Sequence, residues 1–383
     1  MPKAPPFQFA SRGTADTPEA KIPQSCRLAV CYANSSAHTG AGHMMRLFAI
    51  AQTLTHRGYR VVFLSKFCAT NISKKLIKEG FAIEYCKGQN FALDPLVVES
   101  APDVLIIDDY HISADEWQSL KTRRLNRDAY QLVVLDDALD DFALAADIVV
   151  NASPTANVGD YKKRNTDAVL CLGIQYTPLR QEFRVARYHA FESRQHLLIT
   201  LGGTDVKNMS FDLAHRLLRA LPNASICVLL GAVSDDQLAK YKVLSAQYSN
   251  LDIKHNLDNV AELMSGSRLA ISAAGGTLSE LACMGVPTIA LVSVDNQIAA
   301  LKSEYNGISY VAIDVRCFEL DGSADKTVQD PYLFEIIGKA VQLWHKSCSL
   351  ESMSQSARQL IDARGCERIV DVIDASVESR GIN

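Results

Sequence analysis

The residues best suited to acid–base chemistry lie in one glycine-rich segment, Gly40-Ala-Gly42-His43-Met-Met-Arg46, which opens a helical pattern. Glycine lets a ligand approach the backbone at Gly42, and free N–H groups at a helix start favour anions. His43 in the first turn would face a cleft and could accept a proton, although a histidine that only caps or packs against the loop fits the same spacing. Arg46 is either a ligand for a phosphate or carboxylate, or a solvated or salt-bridged arginine. The segment lacks the third glycine of a dinucleotide-binding loop, which disfavours NAD.

A second glycine turn, Ala274-Gly275-Gly276-Thr277, leads from an apolar run into a helix predicted to begin at Thr277. The N-terminus of such a helix can bind a diphosphate through its dipole and unpaired amides, so Gly275, Gly276 and Thr277 are candidate ligands of that group. Glu280 has two explanations. Thr277 and Glu280 could form a capping box, which is purely structural. Alternatively, the Glu280 carboxylate accepts hydrogen bonds from ribose hydroxyls beside the phosphate site.

Two further segments follow apolar runs in the second half of the chain. In Gly202–Asn208, Gly203 permits close approach of a ligand, and the Asn208 amide can donate and accept hydrogen bonds. The other segment carries two adjacent amides, Asn296 and Gln297, which suit sugar hydroxyls or acetamido groups. The alternative for this pair is an Asx-turn that starts the next helix.

Acidic residues form two pairs, Asp108-Asp109, which precedes Tyr110, and Asp136-Asp137. Such pairs are typical of metal ligands or of acid–base carboxylates, and a magnesium ion would need them to converge on a substrate phosphate. At least one member of each pair is expected to be a helix cap or turn residue instead.

The elements that must position these residues are short apolar runs that alternate with helical patterns. The strand candidates are Leu28–Tyr32, Val61–Leu64, Val104–Ile107, Leu132–Leu135, Ile148–Val150, Val169–Leu172, Leu197–Leu201, Ile226–Leu230, Leu269–Ser272 and Thr288–Val292. Their nearly unbroken hydrophobicity is typical of parallel strands covered on both faces, and the alternation predicts doubly wound α/β sheets. Ligands bind beyond the carboxyl ends of such strands, where the candidate residues lie.

A charged stretch without a strand pattern, Arg184–Gln195, predicts the domain boundary. We therefore predict two Rossmann-like domains, residues 26–185 and 196–383, that face each other across a cleft, after a disordered leader at residues 1–25. Because both halves contribute polar segments at strand ends, the site is expected between the domains. The tail from Tyr332 to Val377 is predicted to be helical, with an apolar stripe that includes Phe334.

Composition narrows the classes of protein to which the chain belongs. Its 383 residues are 48% hydrophobic and 21% charged, enough for two cores, and the net charge of −4 argues against nucleic acid or anionic membranes as partners. No apolar run approaches 18 residues, so no transmembrane helix is predicted. The ten cysteines include no Cys-x-x-Cys pair and the histidines are dispersed, which predicts reduced thiols in a cytosolic protein and no structural zinc.

Seven segments, in their order along the chain, carry a resemblance to one family. They are Thr39–Arg46, Ile107–Tyr110, Leu135–Asp137, Leu172–Phe183, Leu201–Asp205, Ala274–Thr277 with Glu280, and Asp295–Gln297. They span most of the chain and include the sequence Tyr-x-x-Leu-Arg-x-Glu-Phe. The chain resembles the UDP-2,4-diacetamido-2,4,6-trideoxy-β-L-altropyranose hydrolases of pseudaminic acid biosynthesis (the PseG family), relatives of the UDP-GlcNAc transferase that makes lipid II.

The resemblance implies a GT-B fold with its active site between the domains, and hydrolysis of the UDP-sugar to UDP and free sugar without a metal or other cofactor. It implies that His43 activates the attacking water, that Asn208 and Glu280 bind substrate, and that Tyr110 and Asn296 line the sugar side. The UDP-sugar is then the expected small-molecule partner of a monomeric cytoplasmic enzyme.

One departure from the family pattern bears on the sugar. The family has Arg-Ala-Asp after its first strand, where this chain has Tyr32-Ala33-Asn34. The exchange removes two charges beside the predicted site and favours a paralogue acting on another diacetamido sugar. A glycosyltransferase on the same scaffold and a non-catalytic UDP-sugar-binding protein are the alternative functions. The transferase is disfavoured because no exposed-looking apolar or basic patch suggests an acceptor surface.

Overall fold

A computed structural model describes residues 26–35, 40–124, 130–137, 146–164, 167–203, 205–231, 233–255, 257, 259–318 and 330–381, without the side chains of residues 123, 124, 380 and 381. The predicted leader and residues 319–329 lie outside the described residues, as does Thr204.

The first half of the chain forms a seven-stranded sheet in which every strand pair is parallel. Its strands are β1 (Leu28–Tyr32), β2 (Arg60–Ser65), β3 (Ala82–Tyr85), β4 (Val104–Ile107), β5 (Gln131–Leu135), β6 (Ile148–Asn151) and β7 (Val169–Leu172), in the order β3-β2-β1-β4-β5-β6-β7. Its helices are α1 (Gly42–His56), α2 (Thr70–Lys78), α3 (Pro95–Val98), α4 (Ala114–Arg124), α5 (Val158–Lys163) and α6 (Gln181–Val185).

The second half forms a six-stranded parallel sheet. Its strands are β8 (His196–Thr200), β9 (Ser225–Leu230), β10 (Leu251–His255), β11 (Ser267–Ala273), β12 (Thr288–Val292) and β13 (Tyr310–Asp314), in the order β10-β9-β8-β11-β12-β13. Its helices are α7 (Ser210–Ala220), α8 (Asp235–Gln247), α9 (Ala261–Ser265), α10 (Gly276–Cys283), α11 (Ala299–Lys302), α12 (Pro331–Trp344) and α13 (Ser347–Leu360), and α14 (Gly365–Gly381) ends the chain.

Each sheet is buried on both faces, as the apolar runs predicted. In β1, Ala29 and Cys31 enter one hydrophobic core while Val30 and Tyr32 enter the core on the opposite face. Successive side chains of a strand point to opposite faces, so a strand covered on both sides must be apolar throughout. All ten predicted strands are confirmed, with ends within two residues, and so is the two-domain α/β fold.

Helix α14 packs against the first sheet, although it lies in the second half of the sequence. Cys366, Ile369, Val370 and Ile373 of α14 are buried in the core of the first sheet, beside α1. An amphipathic pattern shows that a helix has an apolar face, but it does not show which core buries that face. The division at residues 185 and 196 stays a prediction.

Two smaller findings concern helices. The predicted stripe on α12 is wrong at Phe334, which is 70% exposed, because the helix turns Leu333, Ile336 and Ala340 towards the core instead. Among the described residues, no helix is both long enough and apolar enough to cross a membrane.

Candidate active site

The glycine loops of the two halves meet at the carboxyl ends of the strands. A Cβ atom built on Gly203, after β8, would lie 3.3 Å from the Cβ of Ala41, which is the residue before α1. A Cβ atom on Gly202 would lie 3.9 Å from the Oγ1 of Thr277 in the first turn of α10. The loop before α1, the loop after β8 and the start of α10 therefore lie beside one another, where the sequence predicts the cleft.

The amide segment after β12 joins the same group. The Nε2 atom of Gln297 would lie 3.5 Å from a Cβ atom on Gly275, at the start of α10, while its Oε1 accepts a hydrogen bond of 2.9 Å from the Ser293 N–H. Asp295–Gln297 is a 3₁₀ turn without a side-chain cap, so the Asx-turn alternative for this segment is wrong. Asn296 is exposed in that turn.

On the first-domain side, His43 is bound to a buried carboxylate. Its Nδ1 lies 2.6 Å from Oδ1 of Asp108, which directly follows β4 and is fully buried. An Asp carboxylate accepts hydrogen bonds, so Nδ1 carries the proton and Nε2 carries the lone pair in the neutral ring. The pair thus has the arrangement of an oriented general base.

The charged groups around His43 work in opposite directions on its pKa. Burial lowers the pKa, but the charge of Asp108 and its hydrogen bond raise it by more, so that it lies above the ordinary value of 6.5. The Arg46 guanidinium lowers it, and the Asp137 carboxylate raises it.

Arg46 is held between two carboxylates. Its Nε and Nη2 donate to Oδ2 and Oδ1 of Asp108 at 2.8 and 2.7 Å, and its Nη1 donates to Oδ2 of Asp137 at 2.5 Å. Of the two interpretations of Arg46, the salt-bridged one matches this geometry. Burial opposes the charge of Asp137, but Arg46 outweighs it and holds the pKa of that carboxyl at about 2.

Tyr110 completes the cluster. Its hydroxyl donates to Oδ1 of Asp137 at 2.6 Å, and its ring meets the His43 ring edge-on with centroids 4.3 Å apart. The imidazole is therefore fixed by a carboxylate on one side and by an aromatic ring on another.

The other member of each acidic pair has a structural role, but the predicted role as a cap or turn residue is confirmed only for Asp109. Oδ1 of Asp109 accepts from the backbone N–H of His111 at 2.8 Å, which closes a turn. Asp136 is buried and forms an ion pair with Arg164. Among the described residues there is no cluster of three His, Cys, Asp or Glu side chains that could hold a metal ion.

Tyr32 and Asn34, at the positions where the family has arginine and aspartate, have different surroundings. Tyr32 is 1% exposed and stacks on Phe91 in the core, with ring centroids 3.6 Å apart. Asn34 is buried as well; its Nδ2 donates to Oδ2 of Asp109 at 2.5 Å, and its Oδ1 accepts from the Lys66 N–H at 2.8 Å. Tyr32 therefore does not line the cleft, whereas Asn34 holds the loop that ends in Tyr110.

Glu280 has a partner that the sequence did not suggest. Helix α10 begins at Gly276 with Gly275 as its N-cap and has no side-chain cap, so the capping box is wrong. Thr277 lies inside the first turn, two positions after the N-cap residue, so it cannot cap the helix. Instead, Nη2 of Arg180 donates to Oε1 of Glu280 at 2.9 Å.

Arg180 and the residues after it anchor α10 along its length. Nη1 of Arg194 donates to the carbonyl oxygen of Gly285 at 2.5 Å, and the Tyr188 hydroxyl donates to the carbonyl of Cys283 at 3.0 Å. Cations at a helix C-terminus interact favourably with its dipole. The segment between the two sheets thus fixes the helix whose N-terminus opens into the cleft.

Asn208 lies in the loop before α7 with φ of 50°, in the left-handed region that asparagine tolerates better than most residues. Its side chain is exposed, and its Oδ1 lies 3.4 Å from Nε2 of Gln237.

No protein-family model matches the chain. An uncharacterized protein of Methanocaldococcus jannaschii is 27% identical over 267 residues, which cover 67% of this chain and 54% of the relative. The chain thus spans about half the length of that relative. The UDP-2,4-diacetamido-2,4,6-trideoxy-β-L-altropyranose hydrolase of Campylobacter jejuni is 25% identical over 266 residues, which cover 69% of this chain and 91% of that enzyme.

Solved structures share the fold. The S. aureus MnaA–UDP complex matches with a TM-score of 0.62 at 12% identity, over 92% of this chain and 97% of that one. MurG of Acinetobacter baumannii matches with a TM-score of 0.57 at 16% identity, over 91% of this chain and 99% of that one. The fold is therefore that of the GT-B proteins, as the resemblance implied.

Proposed function

We propose that the protein hydrolyses a UDP-linked diacetamido-trideoxy sugar, with UDP-2,4-diacetamido-2,4,6-trideoxy-β-L-altropyranose as the first candidate, to UDP and the free sugar. The observation that carries the proposal is the buried Asp108 carboxylate 2.6 Å from Nδ1 of His43, across the cleft from the second-domain glycine loops. The similarity to the C. jejuni hydrolase supports UDP-sugar chemistry in the same cleft.

The proposed binding site for the diphosphate of UDP is the N-terminus of α10. The amides of Gly275 and Gly276 start this helix, and apart from the adjoining residues and the helix backbone no atom lies within 4 Å of a Cβ built on Gly276, so the start of the helix is open. Helix N-termini stabilise such anions, and the leaving diphosphate gains charge as its bond to the sugar breaks. Glu280 would accept hydrogen bonds from the ribose while Arg180 holds it in place.

The reaction is a single displacement. A water oxygen forms a bond to the anomeric carbon, and the bond from that carbon to the diphosphate oxygen breaks, with its electron pair leaving on UDP. Nε2 of His43 takes the water proton and later returns it to solvent, while Asp108 stabilises the resulting imidazolium. The further residues proposed to contact the substrate are Gly42, Tyr110, Gly203, Asn208, Asn296 and Gln297.

Incubation of the protein with UDP-sugars and no acceptor tests this function. UDP and free sugar should appear in equal amounts, and a UDP-diacetamido sugar should react faster than UDP-GlcNAc. Release of UDP only after an acceptor is added would assign the chain to the transferases. Binding of UDP without turnover of any UDP-sugar would leave a binding protein.

The pH profile follows from His43. The base must be neutral, and its pKa lies above 6.5, so kcat/KM for UDP release is expected to fall on the acid side with an apparent pKa above 6.5. Initial rates between pH 5 and 9 measure this limb. A profile that stays flat down to pH 5 would contradict the assignment of His43 as the base.

Alanine substitutions at Gly231 and Gly276 are expected to have different effects on stability and on UDP binding. A Cβ at Gly231 would meet the carbonyl oxygen of Gly202 at 2.7 Å and that of Gly203 more closely still, whereas Gly276 has open space. Gly231→Ala is expected to lower the free energy of unfolding by about 1–3 kcal/mol. Gly276→Ala should leave that free energy close to wild type but weaken UDP binding, because the methyl group enters the space proposed for the diphosphate.

Urea unfolding and calorimetric titration with UDP separate the two effects. Gly338→Ala is the control for Gly276→Ala, because Gly338 also lies in a helix, α12, its φ is outside the left-handed region and its added methyl also meets open space. If Gly276→Ala binds UDP as tightly as the wild type, the diphosphate does not bind at the start of α10.

A further inference from the structure

Arg46 occupies a position from which it can control the charge state of His43. Its guanidinium bridges Asp108 and Asp137, and Nη2 lies 3.2 Å from Nδ1 of His43. Both oxygens of Asp108 are bound by this one guanidinium. A planar fork can hold a carboxylate in this bidentate way, while a lysine ammonium cannot.

Among the described residues, the charged and titratable groups that face His43 come from three elements. Arg46 lies one turn further along α1, Asp108 and Tyr110 follow β4, and Asp137 follows β5. Two carboxylates and one guanidinium carry a formal net charge of −1. Without the guanidinium the charge would be −2. Two carboxylates beside an imidazole stabilise its protonated, positively charged form.

We propose that Arg46 is a positioning residue rather than a ligand: by holding Asp108 in a bidentate ion pair, it limits the proton affinity of His43, so that the neutral base is available at a lower pH than it would be beside the two carboxylates alone. The proposal rests on the proposed function, in which His43 is the base that activates water. Asp108 then orients the imidazole through one hydrogen bond, and Arg46 prevents the same carboxylate from keeping His43 protonated.

Asp137 connects Arg46 to Tyr110 through hydrogen bonds. It accepts from Nη1 of Arg46 with one oxygen and from the Tyr110 hydroxyl with the other. Through these bonds the position of the guanidinium and the position of the aromatic ring against His43 depend on each other. Arg46 thus fixes the geometry of the base as well as its charge.

The test is a pH titration of the His43 imidazole by NMR in the whole protein with labelled histidine, its signal identified by its loss in His43→Gln. Arg46→Gln is expected to raise the pKa of His43 by about 1 or more, and Asp108→Asn to lower it by a similar amount. The acid limb of kcat/KM should move in the same two directions. Arg46→Lys, which keeps the charge but not the fork, should have a pKa between those of the wild type and Arg46→Gln.

Arg57→Gln is the matched control, because Arg57 ends the same helix and also pairs with two carboxylates, Asp371 and Asp374. It should leave the pKa of His43 unchanged. If Arg46→Gln does not fold, Arg46→Gln combined with Asp137→Asn removes one charge of each sign. This double variant is also expected to raise the pKa of His43, since the charge of Arg46 lowers that pKa by more than the charge of Asp137 raises it.

An unchanged or lowered pKa in the Arg46 variants would overturn the proposal, since an arginine with a purely structural role would affect only stability. The titration needs no substrate. A raised pKa in a protein that hydrolyses no UDP-sugar would remove the proposed function and leave the tuning role intact. An unchanged pKa in an active hydrolase would do the reverse.

Discussion

Replacing His43 by glutamine is expected to lower kcat/KM for UDP release by about 10²- to 10⁴-fold, which is the range for loss of a general base. Glutamine has a similar reach but cannot take a proton at neutral pH. The diphosphate and ribose contacts proposed at Gly276 and Glu280 lie on the other side of the cleft, so UDP affinity should remain close to wild type. Rates of UDP release and calorimetric titration with UDP measure both quantities.

His56→Gln provides the control for this substitution. His56 lies at the end of the same helix, exposed, with Nδ1 2.6 Å from the carbonyl oxygen of Gln52. It should retain wild-type turnover. Turnover of His43→Gln within the range of this control would show that the histidine is dispensable for the reaction.

Asp108→Ala is expected to lower the free energy of unfolding by about 3–5 kcal/mol, as does removal of one partner from a buried ion pair. The carboxylate is fully buried and binds both His43 and Arg46. Its loss leaves the Arg46 charge with Asp137 alone and leaves Nδ1 of His43 without its acceptor. Urea unfolding at pH 7 measures the change.

The neighbouring carboxylate supplies the comparison for stability. Asp109 is only partly buried and accepts from Asn34 and from the His111 N–H, so Asp109→Ala should cost about 1–2 kcal/mol. Equal losses in the two variants would contradict the view that Asp108 is the central charge of the site.

The strands that sequence patterns missed share one property. β3, β10 and β13 each lie at a sheet edge, where one side is open and apolar and polar residues mix, as in Leu251-Asp-Ile-Lys-His255. The interior strands were predictable because burial on both faces requires a continuous apolar run. An edge strand has no such requirement: the apolar run of the edge strand β7 still predicted it, whereas the other three edge strands were missed.

The site was predictable in its parts but not in its pairings. Strand-end position placed His43 and Asp108 at the same edge of the sheet, yet either acidic pair could have supplied the partner. The choice depends on strand order, since β4 lies next to β1. The pairing of Arg180 with Glu280 joins residues 100 positions apart and had no local signal.

The departure at Tyr32 illustrates a third kind of difference. Sequence comparison placed it beside the site because it ends β1, but alternate residues of a strand point to opposite faces. Its ring enters the core against Phe91, so it does not touch a ligand in the cleft. We therefore expect the choice of sugar to depend on Asn34, through its bond to Asp109 next to Tyr110, more than on Tyr32.

In the proposed reaction, water activated by His43 attacks the anomeric carbon of a UDP-sugar. Hydrolysis of the UDP-diacetamido sugar in ¹⁸O-water, followed by mass spectrometry of both products, tests it most directly. Attack at this carbon should place one ¹⁸O atom in the free sugar and none in UDP, with the sugar analysed before its anomeric oxygen exchanges with solvent. Label in the β-phosphate of UDP would show attack at phosphorus and contradict the account.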